Sequence, residues 1–266
     1  MPLCGVHHAA PSSYFDMFPR QPLPLLLSLT LTLSLSLTLS LTLTLALTMT
    51  SGDARAARPL VTDDARSVDT DGCQIESYVK RQRSLGEREL WFLPACNPGG
   101  YAELTLGGTR TDNNESGRSS STIAQAKFLL QPLKTNGYGA AISLGAQNTR
   151  PFVATGDTKW NPYFNLIGSR SLLDDRLFVH LNLGTIKDRV RDVATGTWGL
   201  GTEIVFTPRL IGIVETYGQS GERPNRQIGL RVWIIPDKLQ IDGAYGMQSG
   251  YTPDRRWNSV GIRALF

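Results

Sequence analysis

From residue 73 to the C-terminus the chain alternates apolar and polar residues with a period of two. The clearest run sets Leu177, Val179, Leu181 and Leu183 against Arg176, Phe178, His180 and Asn182. Successive side chains of a strand point to opposite faces, so each such run predicts a strand with one apolar face. Similar runs carry Ala102, Leu104 and Leu106; Ala124, Ala126, Phe128 and Leu130; Ala140, Ile142 and Leu144; and Leu200, Thr202, Ile204 and Phe206. Others carry Ile228, Leu230, Val232 and Ile234; Leu239, Ile241, Tyr245 and Met247; and Val260, Ile262, Ala264 and Phe266. With less regular runs at 160–167 and 210–217 they make about twelve strands near the ~9–11 residues that a tilted membrane strand needs. No stretch has an apolar stripe at helical spacing, which excludes a helical bundle.

Alternation alone leaves open which face is wet, because a soluble barrel turns its apolar face inward and a membrane barrel turns it to lipid. The connections decide. Long polar segments (81–88, 109–121, 148–159, 187–197, 219–226 and 248–255) alternate with short ones (94–100, 132–137, 172–175, 207–209 and 236–238). That is the pattern of a closed antiparallel transmembrane β-barrel with short periplasmic turns, longer extracellular loops and both termini in the periplasm.

The first two runs, 73–80 and 89–93, flank Arg83-Ser84-Leu85-Gly86-Glu87. A hairpin centred between Ser84 and Leu85 pairs residues whose numbers sum to 169. It sets Cys73 against Cys96, Tyr78 against Trp91 and Lys80 against Glu89, which is a cross-strand disulfide, an aromatic pair and an ion pair from one register. The alternative is a different register with two free thiols.

Residues 22–50 are an uncharged Leu-Thr/Leu-Ser repeat, preceded by Arg20 and followed by Ala54-Arg55-Ala56. Basic flank, apolar core and small-x-small end read as a secretory signal cleaved near Ala56, with either Met1 or Met17 as the start; the alternative is an uncleaved anchor. Removing 56 of the 266 residues leaves a mature chain of 210 that retains Cys73, Cys96 and one histidine, His180. Export makes a disulfide admissible. The domain division is thus a signal at 1–56, a periplasmic leader or plug at 57–71, and a barrel at 72–266. Lys and Arg number 27 against 23 Asp and Glu, scattered along the chain, so no nucleic-acid footprint is expected.

If the apolar face meets lipid, the lumen receives Glu76, Tyr78, Glu103, Lys127, His180, Asn182, Glu203, Glu215, Arg231, Asp242 and Arg263. These charges are either walls of a solvated conduit or pairs that partly close a narrow lumen. Residues 57–71, short and polar with Asp63, Asp64, Arg66 and Asp69, either enter the lumen as a plug or form a disordered periplasmic leader, the reading their low apolar content favours. Enzymatic patterns are poor. A Ser-His-Asp site must use His180, no G-x-S-x-G is present, and Asn182 on the same face resembles the polar pairs of outer-membrane lipases. No metal spacing is found, and no cofactor is expected.

The terminal alternation Val260, Ile262, Ala264, Phe266 resembles the last strand of Gram-negative outer-membrane β-barrel proteins. That resemblance implies recognition by the barrel-assembly machinery and residence among outer-membrane lipid. Residues 58–64, Arg-Pro-Leu-Val-Thr-Asp-Asp, are similar to the opening of the small phenol-degradation transport-like family, which implies aromatic solutes. The function expected is a non-enzymatic outer-membrane pore or passive conduit for small solutes; the alternatives are an outer-membrane enzyme acting on lipids or esters, and a structural barrel.

Overall fold

The computed structural model describes residues 59–115, 117–151, 158–248, 250–251 and 255–266. The signal, its cleavage near Ala56, both start positions and the first two leader residues lie outside the described residues.

Twelve strands form in chain order: β1 (Cys73–Gln82), β2 (Glu87–Cys96), β3 (Glu103–Asn113), β4 (Gly117–Gln131), β5 (Tyr138–Pro151) and β6 (Asn161–Leu172). The second half adds β7 (Leu177–Asp188), β8 (Val193–Thr207), β9 (Leu210–Gln219), β10 (Asn225–Ile235), β11 (Leu239–Gln248) and β12 (Arg255–Leu265). Each pairs antiparallel with its chain neighbours, and β12 returns to β1, so the sheet is a closed barrel. At the seam Gln74 faces Leu265 and Tyr78 faces Gly261. Beyond the last ladder residue, Cys73 N–H donates to the Phe266 carbonyl at 2.7 Å and Phe266 N–H to the Cys73 carbonyl at 3.0 Å. β1 begins and β12 finishes at the same end, here the terminal end; the opposite one is the far end.

The first hairpin has the register summing to 169. Cys73 and Cys96 are disulfide-bonded, the rings of Tyr78 and Trp91 stack with centroids 5.4 Å apart, and Lys80 Nζ lies 2.8 Å from Glu89 Oε1. Its turn is a 3-10 segment, Arg83–Leu85, closed by Gly86 at φ 56°, a left-handed conformation that suits a residue without Cβ.

Several polar stretches expected as long loops are partly strand. β3 continues to Asn113 and β4 starts at Gly117, while β7 continues to Asp188 and β8 starts at Val193. The far-end connections therefore shrink to 114–116 and 189–192, against 97–102 and 132–137 at the terminal end. Polarity marked where water begins, not where pairing stops: Thr, Ser and Arg outside an apolar band still satisfy their backbones in the ladder.

Polarity is inverted relative to a soluble barrel. On β7, Leu181 and Leu183 are 49% and 52% exposed, whereas His180 and Asn182 between them are 0% and 5% exposed. Leu104, Leu106, Leu200, Ile228, Leu230, Ile241, Val260 and Ile262 also lie exposed on the outside. Tyr101, Tyr138, Phe206 and Phe266 ring the terminal end, with Trp160, Trp198 and Tyr245 nearer the far end. An apolar exterior between aromatic girdles matches lipid, not water.

Two outcomes follow. Leu181→Arg is expected to destabilise the lipid-refolded barrel by about 2–4 kcal/mol, the cost of Arg near the bilayer midplane, while Val190→Arg in the exposed 189–192 turn changes stability by less than about 0.5 kcal/mol. Urea unfolding from lipid vesicles measures both, and equal costs would mean the exterior does not meet lipid. Reducing the Cys73–Cys96 bond, whose partners lie 23 residues apart, should lower stability by about 3 kcal/mol in the same assay.

Candidate functional site: the barrel lumen

On one side of the lumen, side chains of β1, β2 and β12 pack against one another. Trp91 Nε1 donates to Glu89 Oε2 at 2.7 Å, and Lys80 Nζ lies 5.4 Å from the Trp257 ring centroid. Gly246 on β11 makes room for that indole, since a Cβ there would sit 2.3 Å from it.

Residues 59–68 run through the remaining lumen, and the barrel's inward side chains satisfy their backbone. Glu215 accepts the Val61 N–H at 3.0 Å and also the Thr62 N–H. Asn182 accepts the Asp63 N–H at 2.7 Å through Oδ1 and donates to the Asp63 carbonyl at 2.8 Å through Nδ2. Ser169 Oγ accepts the Ala65 N–H at 2.9 Å, and Glu103 accepts the Val68 N–H at 2.8 Å. Gln227 Nε2 donates to the Pro59 carbonyl at 2.7 Å, and Asn97 Nδ2 donates to the Val68 carbonyl at 2.8 Å. An extended segment with no sheet partner is thus hydrogen-bonded at most turns of its path, as buried backbone requires.

Three inward glycines complete the fit. A Cβ on Gly199 would meet Thr62 Oγ1 at 2.4 Å, one on Gly201 would meet Leu60 at 2.9 Å, and one on Gly229 would meet Pro59 at 2.8 Å. A large side chain there would compete with Pro59, Leu60 and Thr62 for the same space.

The segment also supplies charge. Lys127 Nζ lies 2.9 Å from Asp63 and 3.6 Å from Asp64; Arg66 lies 2.7 Å from Asp64 and 3.3 Å from Glu203. Glu203 is further held by Arg231 at 3.1 Å, and the Arg66 guanidinium lies 4.5 Å from the Phe178 ring centroid. Nearer the terminal end, Arg263 bonds Gln74 Oε1 at 2.9 Å and lies 3.4 Å from Glu76. Arg231 and Asp242 face each other across β10 and β11.

The eleven inward positions singled out from the sequence lie on the inner face of the sheet, but Glu103, Asn182 and Glu215 hold the chain's own segment. His180 is fully buried, with Nδ1 2.8 Å from Ser169 Oγ and Nε2 4.0 Å from Glu203. A serine does approach the histidine, yet its Oγ already accepts the Ala65 N–H, and neither residue lines the open cavity. Ser169 and Gln227 were not foreseen as members of this network, whereas Asp64 and Arg66 belong to the stretch expected as either a leader or a plug. The signal present was the inward glycine pair Gly199 and Gly201, which leaves a strand face without side chains.

Beside the segment a cavity of about 550 Å³ remains. It runs from Gln219, Glu222 and Asn225 at the far rim, past Gln125 and Tyr163, to Gln74, Glu76 and Arg263 near the terminal end. Tyr163 donates its hydroxyl to Gln125 at 2.9 Å on this wall. The wall carries Asp63, Asp64, Glu76, Glu103 and Glu222 against Arg66, Lys127 and Arg263, a formal balance of 3 − 5 = −2. Each of those three cations is paired with a carboxylate. Among the described residues no cluster of three or more His, Cys, Asp or Glu is placed to hold a metal ion.

Among solved structures, a KdgM porin aligns with a TM-score of 0.51 at 13% identity, covering 73% of this chain and 99% of that one. A KdgM porin in complex with disordered oligogalacturonate gives 0.55 at 14% identity over the same shares. The outer membrane phospholipase A from Escherichia coli gives 0.47 at 10% identity, covering 76% and 93%. No curated protein sequence matches the chain. The two porin alignments show the fold, a closed antiparallel β-barrel of the kind porins have. A family model described as uncharacterised conserved protein UCP029691 matches residues 44–266, and the chain belongs to that family.

Proposed function

We propose that the protein is a passive outer-membrane conduit for small polar solutes, narrowed by its own residues 59–68. The observation that carries this is the cavity of about 550 Å³, which passes beside the segment and reaches lining residues near both ends of the barrel. The porin fold supports it. The signal at 1–56 would direct export with cleavage near Ala56, and the outward alternation ending in Phe266 would engage the barrel-assembly machinery.

The lining sets the class of solute. Its cations are neutralised by carboxylates already in place, while Asp63 keeps 30% of its side chain exposed, so an anion gains little and a cation is favoured. Neutral solutes meet Gln125, Tyr163, Asn165 and Tyr217, which offer amides, hydroxyls and ring faces. Neutral aromatic compounds, implied by the resemblance at 58–64, are a narrower class within these.

Planar-bilayer recording tests the proposal. The full chain is expected to conduct with a reversal potential that favours cations, and Asp63→Asn combined with Glu76→Gln should reduce that preference. Gly201→Leu, which leaves Leu60 no room, should dislodge the segment and raise single-channel conductance about two-fold or more, because an aqueous path widens when a plug leaves. A closed trace from both the full chain and Gly201→Leu would contradict a conduit and leave a structural barrel.

A further inference from the structure

The far end of the exterior carries a collar of arginines. Arg226 on β10, Arg256 on β12, Arg81 on β1, Arg88 on β2, Arg110 on β3, Arg118 on β4 and Arg150 on β5 are exposed and lie at outward-facing positions of the ladder. In barrel order those strands, with β11 between β10 and β12, form one continuous arc. Arg226 and Arg256 flank Met247 in one cross-strand row, and Arg110 and Arg150 flank Ser120 in another. Each arginine stands one to three outward positions above the apolar band, as Arg88 stands above Leu90, Arg81 above Val79 and Arg226 above Ile228.

For Arg81, Arg88, Arg110, Arg118, Arg150 and Arg226, carboxylates answer little of this charge. Asp112 is the one outward carboxylate on these strands among the described residues, and it lies 3.0 Å from Arg118 and 3.9 Å from Arg110. Arg81 and Arg88 are direct cross-strand partners. Like charges placed directly opposite destabilise a sheet. Chance scatter on a water-facing rim does not favour such a pair; an anion bridging the two guanidiniums does.

We infer that this collar docks the phosphate groups of a phosphorylated glycolipid in the leaflet facing the far end, with its acyl chains lying along the apolar band below. The inference rests on the membrane-spanning reading but not on conduction. Guanidinium forks match phosphate oxygens bidentately, and Leu90, Leu106, Ile228 and Val260 beneath them are exposed to receive hydrocarbon. The collar also gives the barrel a sidedness that connection lengths do not, since anionic lipid phosphate is then required at the far end.

The test uses the full refolded chain in neutral detergent micelles, with three probes: diphosphorylated lipid A, the same lipid dephosphorylated, and inorganic phosphate. Native mass spectrometry reads bound lipid, and the unfolding temperature reads stabilisation, which any ligand binding only the folded state produces. Diphosphorylated lipid should bind and raise the unfolding temperature, with the effect fading at high salt. Arg81→Gln/Arg88→Gln should weaken its binding about ten-fold or more, given the strength of charge-assisted hydrogen bonds. Arg209→Gln at the terminal end should leave it unchanged. Equal binding of the dephosphorylated lipid, equal stabilisation by inorganic phosphate, or wild-type binding by the double variant would each overturn the inference. Conductance of the double variant, recorded separately, distinguishes failure here from failure of the conduit.

Discussion

The pairing of β12 with β1 is the constraint from which the rest follows. Hydrocarbon offers backbone N–H and C=O groups no partner, so a sheet that crosses it must leave no edge. The ladder from Gln74↔Leu265 to Gln82↔Trp257, extended by the two Cys73–Phe266 hydrogen bonds, removes the two edges that the described strands would otherwise leave. The disulfide lies beside that seam and ties the start of β1 to the end of β2, so the strand that accepts β12 is itself held in register.

Closure with the apolar face outward puts the inward polar face of each strand into an enclosed space. Buried charges there cost free energy unless paired, and the lumen pairs them in three ways. Some meet across strands, as Lys80 meets Glu89 and Glu203 meets Arg231. Others meet the 59–68 segment, as Lys127 meets Asp63 and Asp64. The rest turn to backbone, as Glu215 takes the N–H groups of Val61 and Thr62. The segment is therefore part of what makes the polar interior tenable, and the glycines at 199, 201 and 229 are the space it needs. What it leaves is the cavity.

Much of the barrel was legible because its two determinants are local. A period of two is written in each strand, and the hairpin register was overdetermined by three pairs sharing the sum 169. Strand ends were less legible. Arg110, Thr111 and Asp112 look like loop by composition yet are paired in β3, because ladder hydrogen bonds do not depend on side-chain polarity. The lumen was half legible. Parity assigns Glu103, Asn182 and Glu215 to the inner face, but their partner is a short polar stretch with low apolar content, which by composition resembles a disordered leader. Its order comes from contacts more than a hundred residues away, such as Val61 with Glu215, and no local pattern encodes those.

Oxygen and nickel-chelate accessibility of single spin labels, read by electron paramagnetic resonance in lipid bilayers, tests the inverted barrel most directly. Labels replacing Leu104, Leu181, Leu230 and Val260 should collide readily with oxygen, which partitions into hydrocarbon, and poorly with the aqueous chelate. Chelate collisions exceeding oxygen collisions at those four positions would place the apolar exterior in water and contradict the account.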